Sequence, residues 1–184
     1  MIDIREYLGN YERLVMGNDV VSRLASLAER LKQHKKEGRR ILFFGNGASA
    51  SIASHASLDF TKQAGITSLC FHDPALLTAF ANDYGYENCC SKILDAYSQP
   101  DDYVFLVSTS GESPNIVKVA ENAISKGLHV VAFTGRFENN AVSKLANESF
   151  WVDSHAYNIV ENTHSIWITC LIDYVIGRAE YEVS

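Results

Sequence analysis

The residues best suited to chemistry lie in a hydroxyl-rich turn that follows a short apolar run. Val104-Phe105-Leu106-Val107 is typical of a buried strand, and Ser108-Thr109-Ser110-Gly111-Glu112-Ser113 and Pro114 follow it. Ser113 is a good helix N-cap, and proline is tolerated at the first helical position because its missing N–H would be unpaired there. Hydroxyl groups, free backbone N–H groups and the positive end of a helix then converge on one point. We therefore predict that Ser108–Ser113, here called the serine loop, binds a phosphate.

A second loop with related chemistry lies earlier in the chain. Ile41-Leu42-Phe43-Phe44 predicts a short buried strand that ends at Gly45-Asn46-Gly47-Ala48-Ser49, here called the glycine loop. Its glycine spacing also satisfies a loose dinucleotide-binding pattern, with Asp73 as the candidate ribose partner. That match is weak alone, because two helices precede the first strand and the dinucleotide fold does not require a second phosphate loop. A phosphosugar is favoured over NAD, and we expect no nucleotide cofactor.

One pair of side chains offers acid–base or metal chemistry. His55 and Asp59 are four residues apart in a segment of small residues, up to about Gln63, that is expected to be helical. Residues at this spacing share one face of a helix. The pair therefore suits either two metal ligands or a base with its partner.

The elements that position these residues alternate along the chain. Two amphipathic helices are expected first, at 2–16 and in a second segment that Asn18 caps. Strands are then expected at 41–44, 67–71, 103–107, 129–133 and 148–152. Helices are expected between and after them, up to Gln63 and at 75–81, 87–96, 114–126, 140–145 and 158–177, with Gly127 as a C-cap.

Strands that read as continuous apolar runs between helices indicate a parallel sheet covered on both faces. We therefore predict an α/β fold: a three-layer α-β-α sandwich with a five-stranded parallel sheet and two N-terminal helices. Residues 1–184 form one domain in this interpretation, with a helical arm at 1–38 and the α/β core at 39–184. The two loops and Thr134-Gly135 all lie at the carboxyl ends of strands, where ligands bind in such folds.

Composition excludes several classes of function. The chain has 184 residues, 47% of them hydrophobic, and a net charge of −6, which argues against a nucleic-acid partner. No apolar run approaches the length of a membrane span, and the early acidic residues do not fit a signal peptide. The four cysteines, Cys70, Cys89, Cys90 and Cys170, contain no C-x-x-C pair and are expected to be buried free thiols. We expect a soluble cytoplasmic protein with no membrane partner.

Three motifs in this order resemble the SIS (sugar isomerase) domain: the glycine loop, Ala81-Asn82-Asp83-Tyr84-Gly85 and the serine loop. Over nearly its whole length the chain is most similar to the phosphoheptose (sedoheptulose 7-phosphate) isomerases of that family. The resemblance implies a flavodoxin-like fold and a homotetramer with active sites at subunit contacts, where zinc is often bound. It implies a sugar phosphate held by Ser49, Ser108, Thr109, Ser110 and Ser113, with Asn46 and Gly47 lining the sugar and Asn82 and Asp83 reaching its hydroxyls or the neighbouring site.

The resemblance also implies proton transfer between C1 and C2 of the sugar phosphate, through an enediolate. The family has His-x-x-x-Glu where this chain has His55 and Asp59, and Glu161 stands where a metal-binding glutamine is expected. Thr169 replaces a second family histidine. His164 points about 140° away from Thr169 around the helix, so it cannot substitute without a changed arrangement. His164 is as consistent with a buried core histidine as with a catalytic one.

Two functions follow. In the first, the protein is a phosphosugar aldose–ketose isomerase with Asp59, Glu161 and His164 as catalytic groups and His55, Asp59 and Glu161 as candidate zinc ligands. In the second, it is a non-catalytic SIS protein that binds a phosphosugar or acts as a tetrameric adaptor, as one family member does with the bacterial replication initiator. We favour the enzyme, because ionisable groups stand at three of the four expected positions. Geometry separates the two functions: for the enzyme, His55, Asp59, Glu161 and His164 are expected to converge beside the serine loop. If they lie apart and no metal binds even when zinc is supplied, the zinc-assisted version of the enzyme fails.

Overall fold

Two amphipathic helices lead the chain, as their apolar spacing predicts. In the computed structural model, which describes residues 3–17 and 19–180, they are α1 (Ile4–Val15) and α2 (Val20–Lys36). The predicted cap of α2, Asn18, lies outside the described residues. Both helices add side chains to a cluster on one face of the sheet, which makes this arm part of the core packing.

Five parallel strands form one sheet in the order β2-β1-β3-β4-β5. They are β1 (Ile41–Gly45), β2 (Ser68–Cys70), β3 (Tyr103–Ser108), β4 (His129–Gly135) and β5 (Glu148–Val152). This is the flavodoxin-like order, so the predicted fold class is confirmed. β4 runs two residues further than predicted, and Thr134 and Gly135 are therefore paired strand residues rather than loop residues.

Helices cover both faces of the sheet and complete the three layers. The remaining helices are α3 (Gly47–Lys62), α4 (Pro74–Tyr84), α5 (Tyr86–Tyr97), α6 (Pro114–Ser125), α7 (Ala141–Leu145) and α8 (Tyr157–Ile176). One apolar cluster joins α1, α2, α3 and α8 to the sheet, and a second joins α5, α6 and α7 to the opposite face. Among the helices of the described segments, none combines the length and hydropathy that a membrane span requires.

A row of aromatic rings crosses the sheet beneath α3 and α8. The rings of Phe43 and Phe105 have centroids 5.1 Å apart, those of Phe105 and Phe133 are 5.8 Å apart, and those of Phe133 and Phe150 are 5.3 Å apart. Each ring belongs to a different strand, and all four side chains are fully buried. Large aromatic side chains dominate the energetics of such cores, so this row fixes β1, β3, β4 and β5 to one another.

The cysteines depart in part from the prediction. All four are free thiols, and Cys89 and Cys90 are buried. Cys70 is half-buried, and Cys170 is exposed on α8, so the expectation of burial is wrong for Cys170. An apolar run in a helix covers every side of the helix, because the chain turns once in 3.6 residues, and Cys170 falls on the outer side.

A buried ion pair lies at the amino ends of the strands, opposite the end where the glycine loop and the serine loop lie. Asp102, only 2% exposed, precedes β3 and accepts hydrogen bonds from Nε of Arg40 at 3.0 Å and from its Nη2 at 2.6 Å. The N–H of Gln99 donates to the same carboxylate at 2.7 Å. Arg40 directly precedes β1, so this bidentate pair joins the starts of two adjacent strands.

Replacing Arg40 would leave the buried Asp102 carboxylate without a countercharge. We expect Arg40→Met to lower the free energy of unfolding by about 3–5 kcal/mol, because the Asp102 carboxylate then lacks a countercharge. The matched control is Arg39→Met, since Arg39 pairs with Glu37 at 2.9 Å on the exposed surface. Exposed pairs contribute less than about 1 kcal/mol. Urea unfolding measures both variants, and equal losses would contradict the role given to the buried pair.

Candidate functional site

The serine loop is stabilised by hydrogen bonds from its backbone to its own side chains. The N–H of Gly111 donates to the Ser108 hydroxyl oxygen at 3.2 Å, and the N–H of Glu112 donates to the Ser110 hydroxyl oxygen at 3.1 Å. Ser113 occupies the N-cap position of α6, but its side chain makes no capping hydrogen bond. A hydroxyl that accepts from an N–H still has its own proton to donate. The loop therefore presents hydroxyl protons at the start of α6, which is what an anion requires.

The loop hydroxyls differ in their access to a ligand. Ser108 and Thr109 are each 5% exposed and lie almost wholly within the protein. Ser110 and Ser113 are half-buried. The structure thus brings all four predicted hydroxyls into one loop and leaves Ser110 and Ser113 the more open to an incoming phosphate.

The turn of the loop is fitted against α7. Gly111 has φ of +63°, and a Cβ atom at this position would lie 1.9 Å from the side-chain oxygen of Asn140. That oxygen accepts the N–H of Ser143 at 2.9 Å, which makes Asn140 the cap of α7. The Glu112 carboxylate accepts the N–H of Ala141 at 2.9 Å. Only glycine fits here, since both the backbone conformation and the space exclude a side chain.

A methyl group at position 111 should displace α7 from the loop. We expect Gly111→Ala to lower the free energy of unfolding by about 2–5 kcal/mol, through the left-handed backbone and the clash with Asn140. Gly127→Ala is the control, since Gly127 has φ of +73° but nothing within 4 Å of its Cβ position. The control should lose only about 1–2 kcal/mol. Urea unfolding of the two variants separates clash from strain, and equal losses would mean that Asn140 moves freely.

The glycine loop is tied to α6 by two amides. Nδ2 of Asn46 donates to Oδ1 of Asn115 at 2.9 Å, and Nδ2 of Asn115 donates back to Oδ1 of Asn46 at 2.9 Å. The Tyr86 hydroxyl also donates to Oδ1 of Asn46, at 3.1 Å. Asn46, predicted to line the sugar, thus joins the glycine loop to the first turn of α6 through its amide. Sequence reasoning missed Asn115 and Tyr86, because they lie 69 and 40 residues from Asn46 and no local pattern marks their pairing.

Gly45 and Gly47 of the glycine loop are required for different structural reasons. A Cβ atom at Gly45 would lie 2.8 Å from the carbonyl oxygen of Ser49, so glycine lets α3 start close against β1. Gly47 has φ of +55° and open space where a side chain would be, which leaves its backbone accessible to a ligand. Ser49 is 3% exposed in the first turn of α3.

The candidate ribose partner of a dinucleotide has another role. The Asp73 carboxylate accepts the N–H of Ala75 at 2.9 Å and that of Leu76 at 3.0 Å, so it caps α4. Helix capping accounts for this residue without a ligand.

Two predicted substrate residues lie at the end of α4 and contact each other. Nδ2 of Asn82 donates to Oδ1 of Asp83 at 3.0 Å, and both residues are exposed. Their role toward the sugar or a neighbouring site stays a prediction.

Glu161 is the carboxylate that accompanies the serine loop. The Thr109 hydroxyl donates to its Oε1 through a long hydrogen bond of 3.5 Å. Glu161 lies in the second turn of α8 and is half-buried. The structure therefore places one of the predicted catalytic residues directly beside the predicted phosphate loop.

The pair His55–Asp59 forms as predicted, but it does not lie beside Glu161. Nε2 of His55 is 3.1 Å from the Asp59 carboxylate, and the His55 side chain is 65% exposed. Partial burial raises the pKa of Asp173, and the nearby Asp59 carboxylate raises it further. Asp173 is twelve residues after Glu161 on α8, a rise of about 18 Å, so Asp59 and Glu161 face different stretches of that helix.

The described residues of a single chain do not assemble a zinc site. Within residues 3–17 and 19–180, no three His, Cys, Asp or Glu side chains come together in a way that could hold a metal ion. Zinc in proteins takes three or four such ligands. The predicted set of His55, Asp59 and Glu161 is therefore not assembled within one chain.

His164 is a buried residue, which favours the interpretation as a core histidine over the catalytic one. It is fully buried, and its Nε2–H donates to the Thr134 carbonyl at 2.9 Å. A carbonyl only accepts, so Nε2 carries the proton and the buried Nδ1 is the bare nitrogen. Burial lowers the pKa of His164 to about 4. The expected convergence of four side chains beside the serine loop is therefore not observed. The His164 ring is buried against Phe133 of the sheet, and the pair His55–Asp59 lies on α3 with His55 exposed.

The buried histidine should make stability depend on pH. Its pKa is lower in the folded protein than its usual 6.5, so its contribution is complete above pH 6.5 and is lost as the pH falls toward 4. The loss is about 3 kcal/mol over that window. We expect His164→Gln to flatten the dependence and His155→Gln, at an exposed site, to leave it unchanged. Urea unfolding at several pH values measures this, and a slope unchanged in His164→Gln would refute the assignment.

Comparison with known proteins agrees with the loops and the fold. The SIS domain family matches residues 14–135, and the chain belongs to this family. Two relatives are similar over most of its length. A phosphoheptose isomerase of Thermodesulfovibrio yellowstonii is 35% identical over 78% of this chain and 74% of its own. A probable phosphoheptose isomerase of Thermoplasma acidophilum is 30% identical over 89% and 92%.

A solved structure gives the same result. The phosphoheptose isomerase from Neisseria gonorrhoeae superposes with a TM-score of 0.79 and 26% identity, over 94% of this chain and 91% of that one. The family prediction made from the three loop motifs is therefore confirmed.

Proposed function

We propose that this protein is a phosphosugar aldose–ketose isomerase that acts on sedoheptulose 7-phosphate or a related sugar phosphate. The observation that carries the proposal is the carboxylate of Glu161 beside the hydroxyls of the serine loop. A phosphate site and an adjacent base are the two parts that this reaction needs. The similarity to proteins named phosphoheptose isomerase supports it.

The loops divide the substrate between them. Ser110 and Ser113 donate hydroxyl protons to the phosphoryl oxygens, and the start of α6 adds its positive dipole. The sugar chain then extends past Asn46 and Gly47, where the open backbone leaves room.

Glu161 takes and returns the proton. Its carboxylate removes a proton from C1 of the ketose, the carbon–hydrogen electrons form the C1–C2 double bond, and the C2 carbonyl oxygen becomes the enediolate oxygen. The proton of the C1 hydroxyl then passes to the C2 oxygen, and the carboxylic acid, whose proton exchanges with solvent, protonates C2 to give the aldose. The long hydrogen bond from Thr109 engages one carboxylate oxygen and leaves the other for the substrate. A single carboxylate can serve as base and then as acid in such a transfer.

His55 and Asp59 belong to a subunit contact in this proposal. They lie on an outward side of α3, next to the exposed side chain of Leu58. Exposed apolar side chains also occur on α8, at Ile166 and Tyr174. A homotetramer would cover such a surface and could add ligands to the pair, and only there would zinc be bound. A cytoplasmic location stays a prediction.

Turnover in deuterated water tests the reaction. We expect conversion of sedoheptulose 7-phosphate to an aldose phosphate that carries deuterium at C2, because an enediolate exchanges its proton with solvent. Glu161→Gln should lower kcat by about 10²–10⁴-fold and retain substrate binding. Glu121→Gln, at an exposed glutamate of α6, is the matched control and should keep full activity. NMR of the product and calorimetry of binding give the two readouts.

Two results would decide against the proposal. Full activity in Glu161→Gln would remove the role of that carboxylate. Binding of the sugar phosphate without turnover by the unaltered protein would favour the non-catalytic alternative. One observation gives that alternative weight: the Thr169 hydroxyl donates to the Ser165 carbonyl of its own helix at 2.9 Å, so this position adds no acid or base.

A further inference from the structure

Arg136 has a backbone conformation that an arginine rarely adopts. It directly follows β4 and has φ of +60°, in the left-handed region that disfavours any residue with a Cβ atom. Its N–H donates to the Ser154 carbonyl at 2.9 Å, so the connection between β5 and α8 holds it there. Strained residues of this kind persist where the surrounding structure imposes them, and they concentrate at functional sites.

The side chain of Arg136 has an unused donor. Its Nε is buried and has no hydrogen-bond partner among the described residues. Its guanidinium carbon lies 5.9 Å from the centre of the Tyr157 ring, at the start of α8. Within the same residues, no carboxylate forms an ion pair with it. A buried guanidinium N–H without an acceptor is unfavourable, and an anionic ligand would supply one.

The location of Arg136 is next to the serine loop. Ser108 lies opposite Thr134 in the sheet, so the residues after Thr134 emerge beside the residues after Ser108. The intervening Gly135 is in close contact, because a Cβ atom there would lie 3.1 Å from the carbonyl oxygen of Thr109. Tyr157, beneath the guanidinium, precedes Glu161 by one helical turn.

We propose that Arg136 binds the phosphoryl oxygens of the substrate held by the serine loop. The loop itself carries no cation, and the Glu112 carboxylate in it is occupied by the N–H of Ala141. A phosphate monoester brings about two negative charges, and the guanidinium fork matches two of its oxygens. The identity of the ligand as a sugar phosphate rests on the proposed function. That the ligand is an anion follows from the geometry around Arg136 alone.

Calorimetric titration with inorganic phosphate and with sedoheptulose 7-phosphate tests the proposal. Arg136→Asn should weaken both ligands by about tenfold or more, and Asn tolerates the left-handed backbone, so the thermal midpoint should be retained. Arg136→Lys keeps the charge but loses the fork, and should weaken both ligands less. Lys144→Asn removes an exposed cation of α7 and should change neither affinity.

Several outcomes would overturn the proposal. They are unchanged phosphate affinity in Arg136→Asn, a loss for the sugar phosphate but not for inorganic phosphate, or an equal loss in Lys144→Asn. No binding of either ligand by the unaltered protein would also overturn it. If Arg136→Asn fails to fold, Arg136→Gly, which suits φ of +60°, replaces it. Because binding does not require turnover, a protein that binds phosphate through Arg136 but isomerises nothing would refute the proposed function and leave this inference standing.

Discussion

The candidate site depends on the register in which β1, β3 and β4 pair. Gly45 lies opposite Val107, and Ser108 lies opposite Thr134, so all three strands end at one edge of the sheet. A slip of one residue would turn the buried rings of Phe43, Phe105 and Phe133 to the other face. The packing of those rings therefore maintains the register, and the positions of the glycine loop, the serine loop and Arg136 follow from it.

Signals of short range made most of the fold predictable. Apolar runs of four or five residues located the strands, because strands buried on both faces carry no polar alternation. Hydroxyl-rich and glycine-rich turns located both loops, since capping and left-handed turns restrict the residue types locally. The family resemblance then joined these motifs into one fold, which the sheet order confirms.

The remainder was decided by contacts between distant residues. His164 and Glu161 are three residues apart on α8. His164 is fully buried in the core, whereas Glu161 lies beside Thr109. Which of them meets the site depends on how α8 is rotated against β4, and the sequence of α8 is apolar on several sides. The Asn46–Asn115 amide pair is equally non-local, since each amide is defined only by its partner.

Phosphate binding and proton transfer at carbon need different groups from this chain. In the proposed phosphate site, the hydroxyls and the helix start come from the connection after β3, and the cation is Arg136, which directly follows β4. Proton transfer at carbon needs an ionisable group within reach, and the protomer offers Glu161 there while His55 and Asp59 lie on an exposed side of α3. A carboxylate can act as base and then as acid at carbon, so the proposed mechanism assigns both steps to Glu161. Stabilising the enediolate oxygen requires a further donor. In the homotetramer that we propose, a neighbouring subunit would be placed to supply it.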